Sequence, residues 1–313
     1  MGPFVAWICA RNGYDVALVD IKQEILIKAF DRIRNDVLHL FVEQGIIERN
    51  AAEAALTRIS STLSLNDAVK DADFVFEAVT QDLDLKKEVY KRLDDLSPKH
   101  TILATIQSGI TVDELSSVTK RPDRVIAATF VSPLYFISLT EILPGKLTSQ
   151  ETVGATRELM TKLGRTVLLS KVPTTPMGHI LRPLIYALAS EAMDVVVKNV
   201  ATPEEIDSAL KNGLGLRFHI EGIFGLMDFS GLDVYLNSFK YMYSRTRDPR
   251  FLSPIEVLRK KVDKRELGVK ARKGFYDYTG PGDIVAGYRA KYIAWLKERA
   301  RENALKKTNR QNL

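Results

Sequence analysis

The chain has 313 residues, 45% hydrophobic and 27% charged, with a formal net charge of +6. That composition excludes a disordered or collagen-like chain, and the length predicts two domains with a core large enough to need no disulfides. The single cysteine, Cys9, lies in an apolar helical pattern and predicts a reducing, cytoplasmic setting. No apolar stretch approaches the ~18 residues of a membrane span, and no charged n-region precedes a signal core, so no membrane partner is expected.

In chain order, Phe4 to Ile8 reads as a helix, Asn12-Gly13 as its stop, and Tyr14 to Asp20 as a buried strand ending in an acid. In a Rossmann βαβ unit a strand and G-x-G-x-x-G precede that helix, and an acid about 20 residues on binds the adenosine ribose. Gly2 stands where the last glycine belongs and Asp20 where the acid belongs. The first strand and the first two glycines are missing, which reads as a relic, a start placed too late, or coincidence. An in-frame strand and Gly-x-Gly upstream would restore the motif.

Further strands are predicted at 15–20, 59–63, 73–79, 101–105, 124–130, 139–143 and 166–169, with helices at 23–44, 51–57, 83–96 and 112–119. Short apolar strands alternating with amphipathic helices predict an α/β fold with a Rossmann-type, doubly wound, mostly parallel sheet. After Ser170 the strands cease. Lys171 to Pro176 reads as a proline-bearing linker, and helices follow at 180–199, 232–243 and 254–262. Thr202-Pro203-Glu204-Glu205 marks a capped helix start. The expected division is 1–171 for nucleotide binding, 172–278 for an all-α second domain, and 279–313 for a basic helical tail. Arg289, Lys291, Lys297, Arg299, Arg301, Lys306, Lys307 and Arg310 crowd that tail. We read it as a solvated helix, with no nucleic-acid partner. No His-x-x-x-His or paired-cysteine motif suggests a metal.

Several phrases recur in one order. They are Gly2 to Asp20; Phe76-Glu77-Ala78 to Lys87; Ile102 to Ile110; Arg124 to Pro133 with Glu141-Ile142; Gly213-Leu214-Gly215-Leu216-Arg217-Phe218 with Gly231-Leu232-Asp233; and Leu267 to Tyr278. In these the chain resembles the 3-hydroxyacyl-CoA dehydrogenase family, including its λ-crystallin and gulonate 3-dehydrogenase branch, over roughly residues 1–278. The resemblance implies NAD-dependent oxidation of a 3-hydroxyacyl-CoA or related 3-hydroxy acid to the 3-keto product, by a homodimer. In such enzymes a histidine is the general base, a glutamate orients it, and a serine and an asparagine bind the reacting oxygen region. Here Glu141 holds the glutamate position and Ser108 the serine position, but Thr129 stands at the histidine position and Gly178 at the asparagine position. A threonine hydroxyl has no useful basicity near neutral pH. Glu141 is then either a weak base itself or a solvated carboxylate.

For NAD, the resemblance implies contacts from Gly2, Asp20, Gln81, Lys86, Ser108, Ser132 and Lys270, with Asp20 disfavouring the 2′-phosphate of NADP. The positions that touch CoA in acyl-CoA members fall on Asp36 and Glu43, whose charge opposes a polyphosphate. Four histidines remain. His179 would face away from the site if helical, His219 is expected to be packed, and His39 and His100 lie in a helix and a loop. Two readings stay open: a dehydrogenase of this type, and a non-catalytic relative acting as a binding or structural dimer.

Overall fold

The computed structural model describes residues 1–106, 109–174, 180–280 and 284–311, with side chains to residue 301. It divides into two compact units, Met1–Ser190 and Glu191–Leu313. The first unit opens with α1 (Gly2–Arg11), in which every residue from Phe4 to Ala10 is buried. Gly13, at φ +91°, ends it in a conformation that favours glycine. The strands follow as β1 (Val16–Val19), β2 (Ile59–Thr62), β3 (Phe74–Glu77), β4 (Ile102–Thr105), β5 (Val125–Phe130), β6 (Leu139–Pro144) and β7 (Thr166–Leu169). Interleaved are α2 (Gln23–Arg32), α3 (Leu40–Glu43), α4 (Arg49–Thr57), α5 (Leu65–Val69), α6 (Leu83–Leu96), α7 (Val112–Ser116) and α8 (Gln150–Lys162).

The strands form two sheets, one of β1-β2 and one ordered β3-β4-β5-β6-β7. All neighbours run parallel except β5 and β6. Each of β1 and β3 therefore keeps one edge with no strand partner among the described residues. Both are half-exposed, whereas every residue of β4 is buried. α1 packs against β1, β2 and β3 and joins both sheets in one core with Ile102, Ala104, Ile126, Ala128 and Ile142. The other face carries Leu103, Val125, Ala127 and Leu143 under Tyr90 and Leu93 of α6 and Leu115 of α7. Side chains alternate between faces along a strand, so a buried sheet needs two apolar rows, and these runs supply them.

Three departures from expectation have local causes. The helix predicted at 23–44 is interrupted by a π segment, Ile33–His39, between α2 and α3. Its buried residues Ile33, Val37 and then Phe41 are four apart, a spacing that drifts by about 40° per step in an α-helix. A wider turn keeps them on one face. The helix predicted at 112–119 ends at Ser116, where the Ser116, Ser117 and Thr119 hydroxyls donate to carbonyls three residues back. The expected linker is tied down at Thr174, whose Oγ1 accepts the Val112 N–H (2.9 Å) and whose N–H donates to the Pro144 carbonyl (3.0 Å).

Past the linker comes α9 (Leu181–Val197), which ends before Asn199 at φ +53°. The second unit continues through α10 (Pro203–Ala209), α11 (Gly215–Ile220), α12 (Gly222–Ser230), α13 (Leu232–Thr246), α14 (Leu252–Asp263) and α15 (Ile284–Gln311). The predicted capping box at Thr202 and Glu205 is formed. A buried carboxylate, Asp228, closes the loop after α14. It accepts the Phe275 and Tyr276 N–H groups at 2.9 and 3.0 Å and the Tyr278 hydroxyl at 2.9 Å. A Cβ on Gly268 would overlap the Asp228 carbonyl, and one on Gly274 its carboxylate. The glycines of the 267–278 phrase are thus set by the closeness of α12. No helix among the described residues is long and apolar enough to cross a membrane.

Candidate active site

Thr129 and Glu141 are directly opposite in the antiparallel β5–β6 pair. They continue the row of Val125, Ala127 and Leu143, on the face of the second apolar core. Glu141 is 3% exposed, and its Oε1 accepts the Leu181 N–H at 2.8 Å. That rules out the solvated carboxylate: α9 begins with its first N–H on Glu141. The Thr129 hydroxyl is buried without a hydrogen-bond partner among the described residues. A cleft of about 180 Å³ lies over the pair, completed by Val131 and by Leu181, Arg182, Ile185 and Tyr186 of α9. Those four share one helical face, i, i+1, i+4 and i+5. They are functional candidates that the residue-by-residue reading missed, and their spacing just after a linker was the available signal.

Gln81 and Arg182 converge on Gly109, where an added Cβ would meet Gln81 Nε2 at 3.0 Å and Arg182 Nη1 at 3.4 Å. Gly109, at φ +115°, keeps that approach open. Ser108, Gly178 and His179 lie outside the described residues.

Lys86, at a position that the resemblance assigns to the cofactor, is buried and paired. It shares the buried face of α6 with Tyr90 and Leu93. Its Nζ meets Glu77 Oε1 and Oε2 at 2.7 and 2.6 Å and Thr105 Oγ1 at 3.5 Å. Both charged side chains are 1% exposed. Glu77 Oε1 also accepts the Val79 N–H at 2.7 Å. Burial and the Glu77 charge push the nearby Tyr90 phenol well above its ordinary range.

In the smaller sheet, Asp20 follows β1 half-buried, with Oδ1 accepting the Ile21 N–H at 2.7 Å. Gly2 opens α1, where Pro3 has no N–H and Phe4 N–H donates to the Met1 carbonyl at 3.0 Å. Ser132 is exposed just past β5. In the second unit, Lys270 Nζ pairs with Asp233 at 2.6 and 2.7 Å and holds that carboxyl below its usual range. His39 pairs with Glu43 (3.2 Å) and His100 with Asp73 (3.1 Å), both exposed. His219, expected to be packed, is exposed on α11. Of the acids at the CoA positions, Asp36 has the Arg32 guanidinium at 3.6 Å, and Glu43 lies 3.2 Å from the His39 imidazole. Among the described residues no cluster of His, Cys, Asp or Glu could hold a metal.

Mostly parallel strands interleaved with helices, and an acid at the end of β1, are features of a nucleotide-binding α/β domain, here with a buried carboxylate facing a cleft. The family profile described as 3-hydroxyacyl-CoA dehydrogenase, NAD binding domain, matches residues 1–172, and that of the family's C-terminal domain matches 178–278. The chain is 34% identical to a 3-hydroxybutyryl-CoA dehydrogenase of Clostridioides difficile over 280 residues, covering 89% of this chain and 96% of the relative. It is 33% identical to a probable 3-hydroxybutyryl-CoA dehydrogenase of Bacillus subtilis over 279 residues, covering 89% and 94%. The solved 3-hydroxyacyl-CoA dehydrogenase of Archaeoglobus fulgidus superposes with a TM-score of 0.79 at 29% identity, over 96% of this chain and 95% of that one.

The chain belongs to the 3-hydroxyacyl-CoA dehydrogenase family, and its cofactor is NAD. The residues present fit the ribose end of that cofactor through the half-buried carboxylate of Asp20. At the phosphate end the first turn of α1 offers the Gly2 N–H.

Proposed function

We propose that the protein oxidises the 3-hydroxyl of a 3-hydroxyacyl-CoA, or a related 3-hydroxy acid, to the 3-keto product. NAD, when bound, accepts the hydride. The observation that carries this reading is the buried Glu141 carboxylate facing a cleft beside Thr129, at the β5–β6 pairing. The relatives' names support the substrate class, and a role in fatty acid metabolism follows from it.

In this reading the resemblance assigns Ser108, Thr129, Glu141 and Gly178 to the reacting end of the substrate, and Gly2, Asp20, Gln81, Ser108, Ser132 and Lys270 to the cofactor. Lys86 acts from behind, by holding Glu77 and the end of β3. The functional domains are 1–171 for NAD, 172–278 for substrate and dimerisation, and 279–313 as a basic tail. A homodimer is supported by α9, where Leu184 and Leu188, one turn apart, are 59 and 45% exposed; apolar surface gathered on one helix face fits an association surface. The buried, reduced Cys9 agrees with a cytoplasmic setting.

NADH formation with 3-hydroxybutyryl-CoA and with free 3-hydroxybutyrate tests the reaction. We expect turnover with NAD, and Asp20→Ala should narrow the preference for NAD over NADP by about tenfold, one lost hydrogen-bonded contact. NAD binding by calorimetry with a flat absorbance trace on every such substrate would sink the reading. Sedimentation at the monomer mass would remove the dimer.

A further inference from the structure

Three buried side-chain polar atoms have no hydrogen-bond partner among the described residues. Two of them, Trp7 Nε1 and Tyr90 OH, belong to residues of the apolar cores. The third, Thr129 Oγ1, belongs to a residue that lines the cleft with Glu141. A buried hydroxyl is normally satisfied, by protein or by an ordered water. Thr129 and Glu141 face each other across the antiparallel pair, so their side chains are neighbours on one face of the sheet. The cleft, at about 180 Å³, has room for a water's share of roughly 30 Å³ and for the hydroxyl end of a substrate.

We propose that Glu141 is the general base and that it works through a water held between its carboxylate and Thr129 Oγ1. This rests on the reaction proposed above. The substrate's hydroxyl proton passes to the water, and the water gives one of its own protons to the Glu141 carboxylate. The electrons of the O–H bond form the second bond of the carbonyl as a hydride leaves the same carbon; NAD, when bound, would be the acceptor of that hydride. One proton and one hydride leave the substrate, and Glu141 returns its proton to solvent after turnover.

Thr129 needs no basicity for this task. Its hydroxyl both donates and accepts, so it orients the water while Glu141 supplies the charge. The Leu181 N–H fixes Oε1 and so holds the carboxylate plane against the cleft. Among the described residues, the charged or titratable groups that line the cleft with Glu141 are Arg182 and Tyr186, both from α9. Its strand neighbours are Thr129 on β5 and Leu168 on β7, neither of which titrates.

The test joins crystal structures of the wild type and Thr129→Val with pH–rate profiles of the wild type, Glu141→Gln, Thr129→Val and His179→Gln. We expect a water within hydrogen-bond distance of Thr129 Oγ1 and Glu141, lost in Thr129→Val. kcat/KM should fall about 10²–10⁴-fold in Glu141→Gln and about tenfold in Thr129→Val, with His179→Gln near wild type. The basic-form limb of the profile should vanish in Glu141→Gln, and Thr129→His should add a limb near the imidazole range of about 6.5. Absence of the water overturns the proposal whatever the activity. NADH formation that survives Glu141→Gln, or a limb lost instead in His179→Gln, overturns the base alone. A water in place with no NADH formed on any 3-hydroxyacyl-CoA overturns the reaction and the base together.

Discussion

Lys86 separates two accounts of one side chain, a cofactor contact and the buried partner of Glu77. Replacing Lys86 with Met keeps the stem's volume and leaves the Glu77 carboxylate without its cation at 1% exposure. Breaking a buried pair on one side costs about 3–5 kcal/mol, whereas replacing both members with apolar groups is often close to neutral. A unit of this size loses about 2–4 °C of Tm per kcal/mol, so Lys86→Met should lower its transition by about 6–20 °C. The double variant Glu77→Leu/Lys86→Met should recover most of that. A residual loss of about 1 kcal/mol should remain from the Val79 N–H, which loses its acceptor. Urea unfolding followed by Trp7 fluorescence in a Trp295→Phe background reads this unit, because Trp7 is buried in its core. A loss below about 1 kcal/mol in Lys86→Met, together with a tenfold weaker NAD Kd, would refute the buried-pair account.

Two further outcomes concern packing and pH. Gly274→Ala should destabilise the second unit by about 3 kcal/mol, the upper range for overpacking, because its Cβ would fall on the Asp228 carboxylate. Gly154→Ala, in α8 with nothing near the new methyl, should instead gain up to about 1 kcal/mol. Equal denaturation midpoints for the two variants would show that Asp228 yields freely. Burial pushes the Cys9 thiol up from 9.0 to about 12, so the folded protein holds that proton longer than the unfolded chain. Its contribution to stability is therefore full below about pH 9 and declines as pH rises toward about 12. Alkylation of Cys9 at pH 8 should proceed only at the rate of unfolding. Prompt labelling of the native protein would contradict its burial.

The strands were the most legible part of the chain because most are short apolar runs bounded by turn residues, and β4 and β5 need apolar side chains on both faces. Helices were legible where one stripe is apolar, as in α6, predicted and observed at Leu83–Leu96. The sequence reading passed over α5, α8, α11 and α12. Ser149, whose hydroxyl caps α8 by accepting the Thr152 N–H, was the overlooked start signal for that helix. The π segment was hidden because a spacing of four fits an α-helix nearly as well. At the site, the resemblance marked Thr129 and Glu141 as separate positions. That they face each other depends on an antiparallel register set by distant residues, which no local pattern encodes. Lys86 shows a different limit. Its helical spacing with Tyr90 and Leu93 pointed inward, but a lysine reads as solvent-facing until its acid partner, on β3, is placed.

The separation of β1-β2 from the larger sheet bears on cooperativity. A two-stranded ladder is marginal alone, and this one is held to the rest of its unit through the packing of α1 and the shared core. Its amides should exchange with solvent through openings that leave β4 and β5 intact, a subglobal transition below the global unfolding free energy. Asp20 sits on that softer piece. Occupancy of the ribose site would then be linked to closure of the opening by RT ln(1 + [L]/Kd). Cofactor affinity would be shared between the contacts made and the order imposed, and protection at Val16 to Val19 would rise with NAD concentration while that of β5 stayed constant.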